Sequence, residues 1–100
     1  MEECEVELEQ TIKKKVMSPS KYKVIFIDDS ETPYEWVVAL LMKVFNYSQD
    51  NANQKASEID MGGSGVVGVY TFEIADQKAS EGIALSRSNG FPLDIKIEKN

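Results

Sequence analysis

The stretch YKVIFIDDSETPYEWVV, residues 22–38, changes its period in the middle. YKVIFI is rich in β-branched and aromatic residues, which predicts a strand over 22–27. The second half carries a helix-start signature. Thr32 is expected as N-cap, Pro33 at the first helical position and Glu35 two residues on, a T-x-x-E capping box with proline where its missing N–H is harmless. Trp36, Val37, Leu40, Leu41, Val44 and Phe45 then fall on one broad face, predicting a helix over 33–45. A strand therefore runs into a helix through Asp28, Asp29, Ser30 and Glu31.

Downstream, Ser48 is placed to cap a second helix over 49–59, whose apolar face is thin: Ala52, Ala56 and Ile59. MGGSG, residues 61–65, reads as a turn, and VVGVYT as a strand over 66–71. A third helix is expected over 72–87 with Ile74, Ala75, Ala79 and Ile83 inward. Asn89-Gly90 and Pro92 stop it, and LDIKIE alternates as a strand over 93–98. The order β-α-α-β-α-β implies an α+β domain with a small three-stranded, mainly antiparallel sheet packed with three helices. Residues 1–20, charged and ending in Ser18-Pro19-Ser20, are read as a flexible N-terminal arm preceding a core over 21–100.

Composition narrows the function. The chain has 100 residues, of which 42% are apolar, enough for one modest core. A net charge of −6 argues against nucleic acid and suits a cationic or amine-bearing partner. No histidine is present, which removes Ser-His-Asp and Cys-His catalysis and every His-containing zinc site. The single cysteine, Cys4, makes no internal disulfide and fits a reducing cytoplasm. No apolar run is long enough to span a bilayer, and the acidic N-terminus lacks the layout of a secretory signal. No cofactor or metal is expected, and a monomer is.

Three local features carry possible chemistry. Asp28, Asp29 and Glu31 read as a solvated turn, as a pair for acid–base work, or as partial metal ligands, although their spacing is not that of a calcium loop. GGSG lacks the Lys of a phosphate loop and reads as a connection. Asp60, at the end of the second predicted helix, sits where the macrodipole disfavours an acid unless a cation docks beside it.

Residues 22–38, with GVVGVYTFEIADQK (65–78) and GFPLDIKIE (90–98), resemble the ClpS family, adaptors of the bacterial N-end rule. The likeness covers about four-fifths of the chain. It implies a non-enzymatic clamp that binds the first residue of proteins beginning with Leu, Phe, Tyr or Trp. The clamp hands them to an AAA+ unfoldase, ClpA or ClpC, for degradation by ClpP, and the arm engages the unfoldase pore.

By position, Asp28 and Asp29 match the Asn-Asp that holds the α-amino group and first peptide unit. Ser30 stands where a second Asp is usual, and Thr32 and Pro33 match outright. Tyr34 falls where Met is common at the pocket mouth, and Val37 matches a wall residue. Ala56 replaces a Met gate, Ile59 a Val, and Leu93 matches a pocket leucine. Glu73 and Lys78 match an exposed acid and base that dock on the unfoldase. Asp60 stands where most members carry the His that binds the amine.

Those departures set further expectations. Asp60 takes over as amine acceptor. Three carboxylates raise one another's pKa, so that binding weakens toward about pH 5. Ala56 leaves the pocket roomier, and Tyr34 either refills it or closes it. The second reading is a ClpS-like regulator that docks on the unfoldase without reading N-termini.

Overall fold

The structure, a computed structural model, describes residues 20–100. The expected arm, apart from Ser20, lies outside the described residues. The elements are β1 (Lys21–Ile27), α1 (Tyr34–Phe45), α2 (Gln49–Gly62), β2 (Ser64–Thr71), α3 (Phe72–Ser88) and β3 (Asp94–Lys99). This is the expected α+β order, and the sheet is antiparallel throughout, with β1 between β2 and β3.

Alternation along β1 explains the layering. Val24 and Phe26 are fully buried while Lys23, Ile25 and Ile27 stay partly exposed. The buried side chains meet Leu40, Leu41, Val44 and Phe45 of α1, Ile59 of α2, and Leu93 and Ile95. Phe26 and Phe45 pack edge to face with centroids 5.5 Å apart. The β1–β2 register slips between Val24 and Ile25, leaving Val67 as a bulge. The Tyr47 hydroxyl donates to the Val67 carbonyl at 2.6 Å, which satisfies the group the bulge frees.

The start of α1 differs from the sequence reading. Pro33, not Thr32, is the N-cap, and it makes no side-chain cap bond. Thr32 belongs to the Asp29 turn instead: its N–H and its hydroxyl both donate to the Asp29 carboxylate, at 2.7 and 2.8 Å. Ser48 does cap α2, accepting from the Asn51 N–H at 3.2 Å. The helix runs past Ile59 to Gly62, and the expected turn over 61–65 shrinks to Gly63. Its φ of 85° is the left-handed conformation that only glycine adopts cheaply.

Helix α3 buries Ala75, Ala79, Gly82 and Ser86, whereas Ile74 is 45% exposed and Ile83 only partly buried. Small residues win the inward face because the helix lies close to the sheet. A Cβ on Gly82 would come within 2.7 Å of Ile95 Cδ1. Trp36, on the apolar face expected of the first helix, is only partly buried. Its Nε1 donates to Ser86 Oγ at 2.9 Å, and its ring lies against Phe91.

Candidate functional site

Where β1 ends and α1 begins, a cavity of about 380 Å³ opens toward α2. Asp28, Asp29, Ser30, Thr32, Tyr34, Val37, Ala56 and Asp60 line it. Eight of the ten expected pocket residues are thus brought together. Ile59 and Leu93 are not among the lining residues. Each is 1% exposed and belongs to the core.

The turn after β1 is built around Asp29. One carboxylate oxygen accepts the Glu31 N–H at 2.8 Å and the Thr32 N–H at 2.7 Å, while the other accepts the Thr32 hydroxyl. This local side-chain-to-backbone pattern suits Asp. Burial pushes the Asp29 carboxyl up. The bonds from Thr32 and Glu31, with the nearby Arg87 guanidinium, outweigh it and hold the group below the ordinary carboxylate range. The expected mutual raising of carboxylate pKa values is therefore overturned at Asp29.

Asp28 is anchored through its backbone, its N–H donating to the Gly63 carbonyl at 2.9 Å. That bond draws the end of α2 to the end of β1 and sets Asp28 and Asp60 on one cavity. Both side chains are exposed. Among the described residues neither carboxylate enters a hydrogen bond or ion pair, so both are available to a ligand. No three His, Cys, Asp or Glu side chains among the described residues could hold a metal ion.

Val37 and Ala56, 7% and 2% exposed, supply an apolar side to the cavity. Tyr34 lines the same cavity. Its hydroxyl donates to the Asn53 carbonyl at 2.9 Å, tying the first turn of α1 to α2. The ring is 42% exposed, so it borders the mouth rather than filling the interior. The one-sided set of acids and apolar walls suits a ligand with a cationic head and an apolar tail.

The second expected site divides. Glu73 is exposed in the first turn of α3, beside a second cavity of about 420 Å³ lined by Ser20, Tyr22, Thr71, Phe72 and Glu73. Lys78, expected as an exposed base, is partly buried. Its ammonium donates to the Val44 carbonyl at 2.9 Å and lies 5.7 and 5.5 Å from the Phe45 and Tyr70 ring centroids. An orphan carbonyl at the end of α1 and two ring faces draw the long side chain inward.

Sequence reasoning missed Asn53, Gly63 and Arg87. Gly63 alone carried a signal, as a glycine after a helix. No helix among the described residues is long and apolar enough to cross a membrane.

The sequence model of the family described as "ATP-dependent Clp protease adaptor protein ClpS" matches residues 17–96. Proteins named ATP-dependent Clp protease adapter protein ClpS are similar to the chain over most of both lengths. That of Treponema denticola is 36% identical, covering 88% of this chain and 87% of its own. That of Campylobacter jejuni strain 81-176 is 39% identical, covering 92% and 93%. The structure of Agrobacterium tumefaciens ClpS2 bound to L-phenylalaninamide matches with a TM-score of 0.81 at 36% identity, over 83% of this chain and all of that one.

Proposed function

The chain belongs to the ClpS family of adaptors for the ATP-dependent Clp protease, and from that we propose that its acidic cavity is an N-degron clamp. It binds proteins through a free N-terminus bearing a large hydrophobic side chain and delivers them to a Clp AAA+ unfoldase of the ClpA or ClpC type for degradation by ClpP. The adaptor performs no chemistry of its own and works in the cytoplasm. The observation that carries this reading is the pairing of acids with an apolar wall on one cavity. The ligand of the Agrobacterium protein, L-phenylalaninamide, has that shape: an ammonium, an aromatic side chain and an amide in place of the next peptide bond.

In this reading Asp28, Asp29 and Asp60 face the ammonium, whose three N–H donors and positive charge favour carboxylate acceptors. Asp29 is fixed by its bonds to Thr32 and Glu31, so it is pre-organised before a ligand arrives. Ser30 and Thr32 line the same end, Val37 and Ala56 receive the side chain, and Tyr34 borders its entry. Ile59 and Leu93 back the pocket from the core. Fluorescence anisotropy with a peptide panel varying only residue one tests the reading. Phe, Tyr, Trp and Leu peptides should bind, and Gly or Asp peptides should not. Equal affinity across the panel would exclude an N-degron clamp.

The pH dependence follows from Asp29 and the ligand. Because the Asp29 pKa is depressed, the interactions of its ionised form are present above the ordinary carboxylate value and are lost only as pH falls through the lower, folded-state value. Asp29 therefore stays charged at pH 5. A peptide α-amino group titrates at about 7.7–8.0. The Asp29 contribution to affinity should hold between pH 7 and 5, and affinity should decline as pH rises past about 8, where the amine loses its proton. A fall beginning above pH 6 on the acid side would contradict this.

Glu73 is the docking acid in this reading, while Lys78 is engaged with Val44. Glu73→Lys should weaken unfoldase binding severalfold, with peptide affinity unchanged. Lys78→Ala should act first on stability, by about 1–3 kcal/mol, because it orphans a partly buried carbonyl. Pull-down against ClpA or ClpC, run beside thermal melts, separates the two effects. The alternative regulator, which docks without reading N-termini, is favoured by one feature only: Tyr34 tied to Asn53 at the mouth.

A further inference from the structure

We infer that Arg87, in the last turn of α3, is a positioning residue for the acidic wall of the pocket, acting through the segment 91–94 that it grips. The inference rests on the adaptor reading of the cavity. Arg87 does not line that cavity. Its Nη1 donates to the Phe91 carbonyl at 3.1 Å and the Leu93 carbonyl at 2.7 Å, and its Nη2 lies 3.4 Å from Asp94 Oδ1. One planar fork thus fixes both carbonyls and a carboxylate, a geometry an ammonium does not reproduce.

The gripped segment leads straight to the site. Asp94 is the register partner of Ile27, and the next residues of the chain after Ile27 are Asp28 and Asp29. Holding Asp94 therefore holds the end of β1 from which the acids project. The same turn reaches the apolar wall. Phe91 packs on Trp36 with centroids 5.3 Å apart, and Trp36 Nε1 is bonded to Ser86, the neighbour of Arg87. Trp36 stands in the first turn of α1 between Tyr34 and Val37, both of which line the cavity. The end of α3 is thus joined to the strand that carries the acids and to the helix that carries Tyr34 and Val37.

Arg87 also supplies charge. Asp28 and Asp60 share the cavity with Asp29, and Glu31 stands on its turn. Arg87 is close enough for its positive charge to favour ionised Asp29. The Arg87 side chain is 47% exposed and its pairing with Asp94 is loose, so that ion pair by itself contributes little. Its hold on the two carbonyls and its place beside Asp29 matter more.

The test compares wild type, Arg87→Gln and Arg87→Lys in the full chain. Carboxyl-carbon NMR follows the titration of Asp29 in the free protein, and anisotropy follows a Phe-starting peptide at pH 7. In Arg87→Gln the Asp29 midpoint should rise, and peptide binding should weaken about three- to tenfold, the range for a group coupled to a ligand it does not touch. Arg87→Lys should restore the midpoint, because the charge returns, but only part of the affinity, because the fork does not. An unmoved midpoint in Arg87→Gln overturns the inference whatever happens to melting temperature or affinity. So does a moved midpoint with unchanged affinity. If wild type binds no Phe peptide, the adaptor reading fails instead, and the midpoint, read without ligand, decides the role of Arg87.

Discussion

Acetylating the α-amino group of a Phe-starting peptide is expected to weaken its binding at least about 100-fold. The modification removes the positive charge and leaves one N–H where there were three. It also turns a carbonyl oxygen toward carboxylates. Hydrogen bonds to charged groups contribute about 1.5–3 kcal/mol each, so losing two of them exceeds the roughly 2.8 kcal/mol that a hundredfold change represents. The apolar contacts with Val37 and Ala56 are untouched, which makes acetylation a test of the acids alone. Competition anisotropy with matched free and acetylated peptides reads it directly. Near-equal affinities would mean that Asp28, Asp29 and Asp60 do not recognise an amine. Repeating the pair with Asp60→Asn isolates the residue standing where the family His is usual. If Asp60 is an acceptor, the free peptide should lose affinity severalfold and the acetylated one should not.

The second large effect concerns the apolar wall. Ala56→Met is expected to cost the bulkiest first residues, Trp above all, about tenfold or more in affinity, while Leu is affected less. Ala56 is 2% exposed and borders a cavity of about 380 Å³. A Met side chain there must project into that space, because Ala52, Ile59 and the rest of the core close the other direction. A crowded apolar pocket discriminates by roughly 1–3 kcal/mol per misfitting group. The thioether chain is flexible enough to accommodate slim side chains. A residue-one panel on the variant, with melting curves to exclude unfolding, is the measurement. An unchanged ranking of Trp, Phe and Leu would show that the side chain does not enter beside Ala56.

Much of this architecture can be read from the sequence because its strongest signals are periodic. The alternation in YKVIFI and the helical spacing from Val37 to Phe45 survive folding since both faces bury against each other. The gathering of eight pocket residues was legible only through the family resemblance. Asp28 and Ala56 lie on different elements, and no local pattern links them. Failures came where a local rule met a competing partner. Thr32 has good capping chemistry, but the Asp29 carboxylate engages both its N–H and its hydroxyl and holds it in the preceding turn. Ile74 looked inward on hydrophobicity, yet α3 approaches the sheet so closely that its inner stripe is Ala75, Ala79, Gly82 and Ser86. Lys78 reads as a surface base because sequence shows its charge and hides the reach of its stem to Val44. Arg87 gave no signal, since its partners are main-chain carbonyls that every residue possesses.

The sheet order also governs how the protein is born. β1 is translated first of the three strands yet occupies the middle, so both of its edges wait for strands made later. β3 begins only at Asp94, and at roughly 5–20 residues per second it leaves the ribosome some 3–13 s after β1. Until then the Asp28–Asp29 turn has no Arg87-braced neighbour and one side of YKVIFI is bare. Transiently unpaired strand edges of that kind are the aggregation-prone surfaces of folding chains. The pairing of Asp94 with Ile27, which steadies the end of β1, is thus among the last contacts the domain can make.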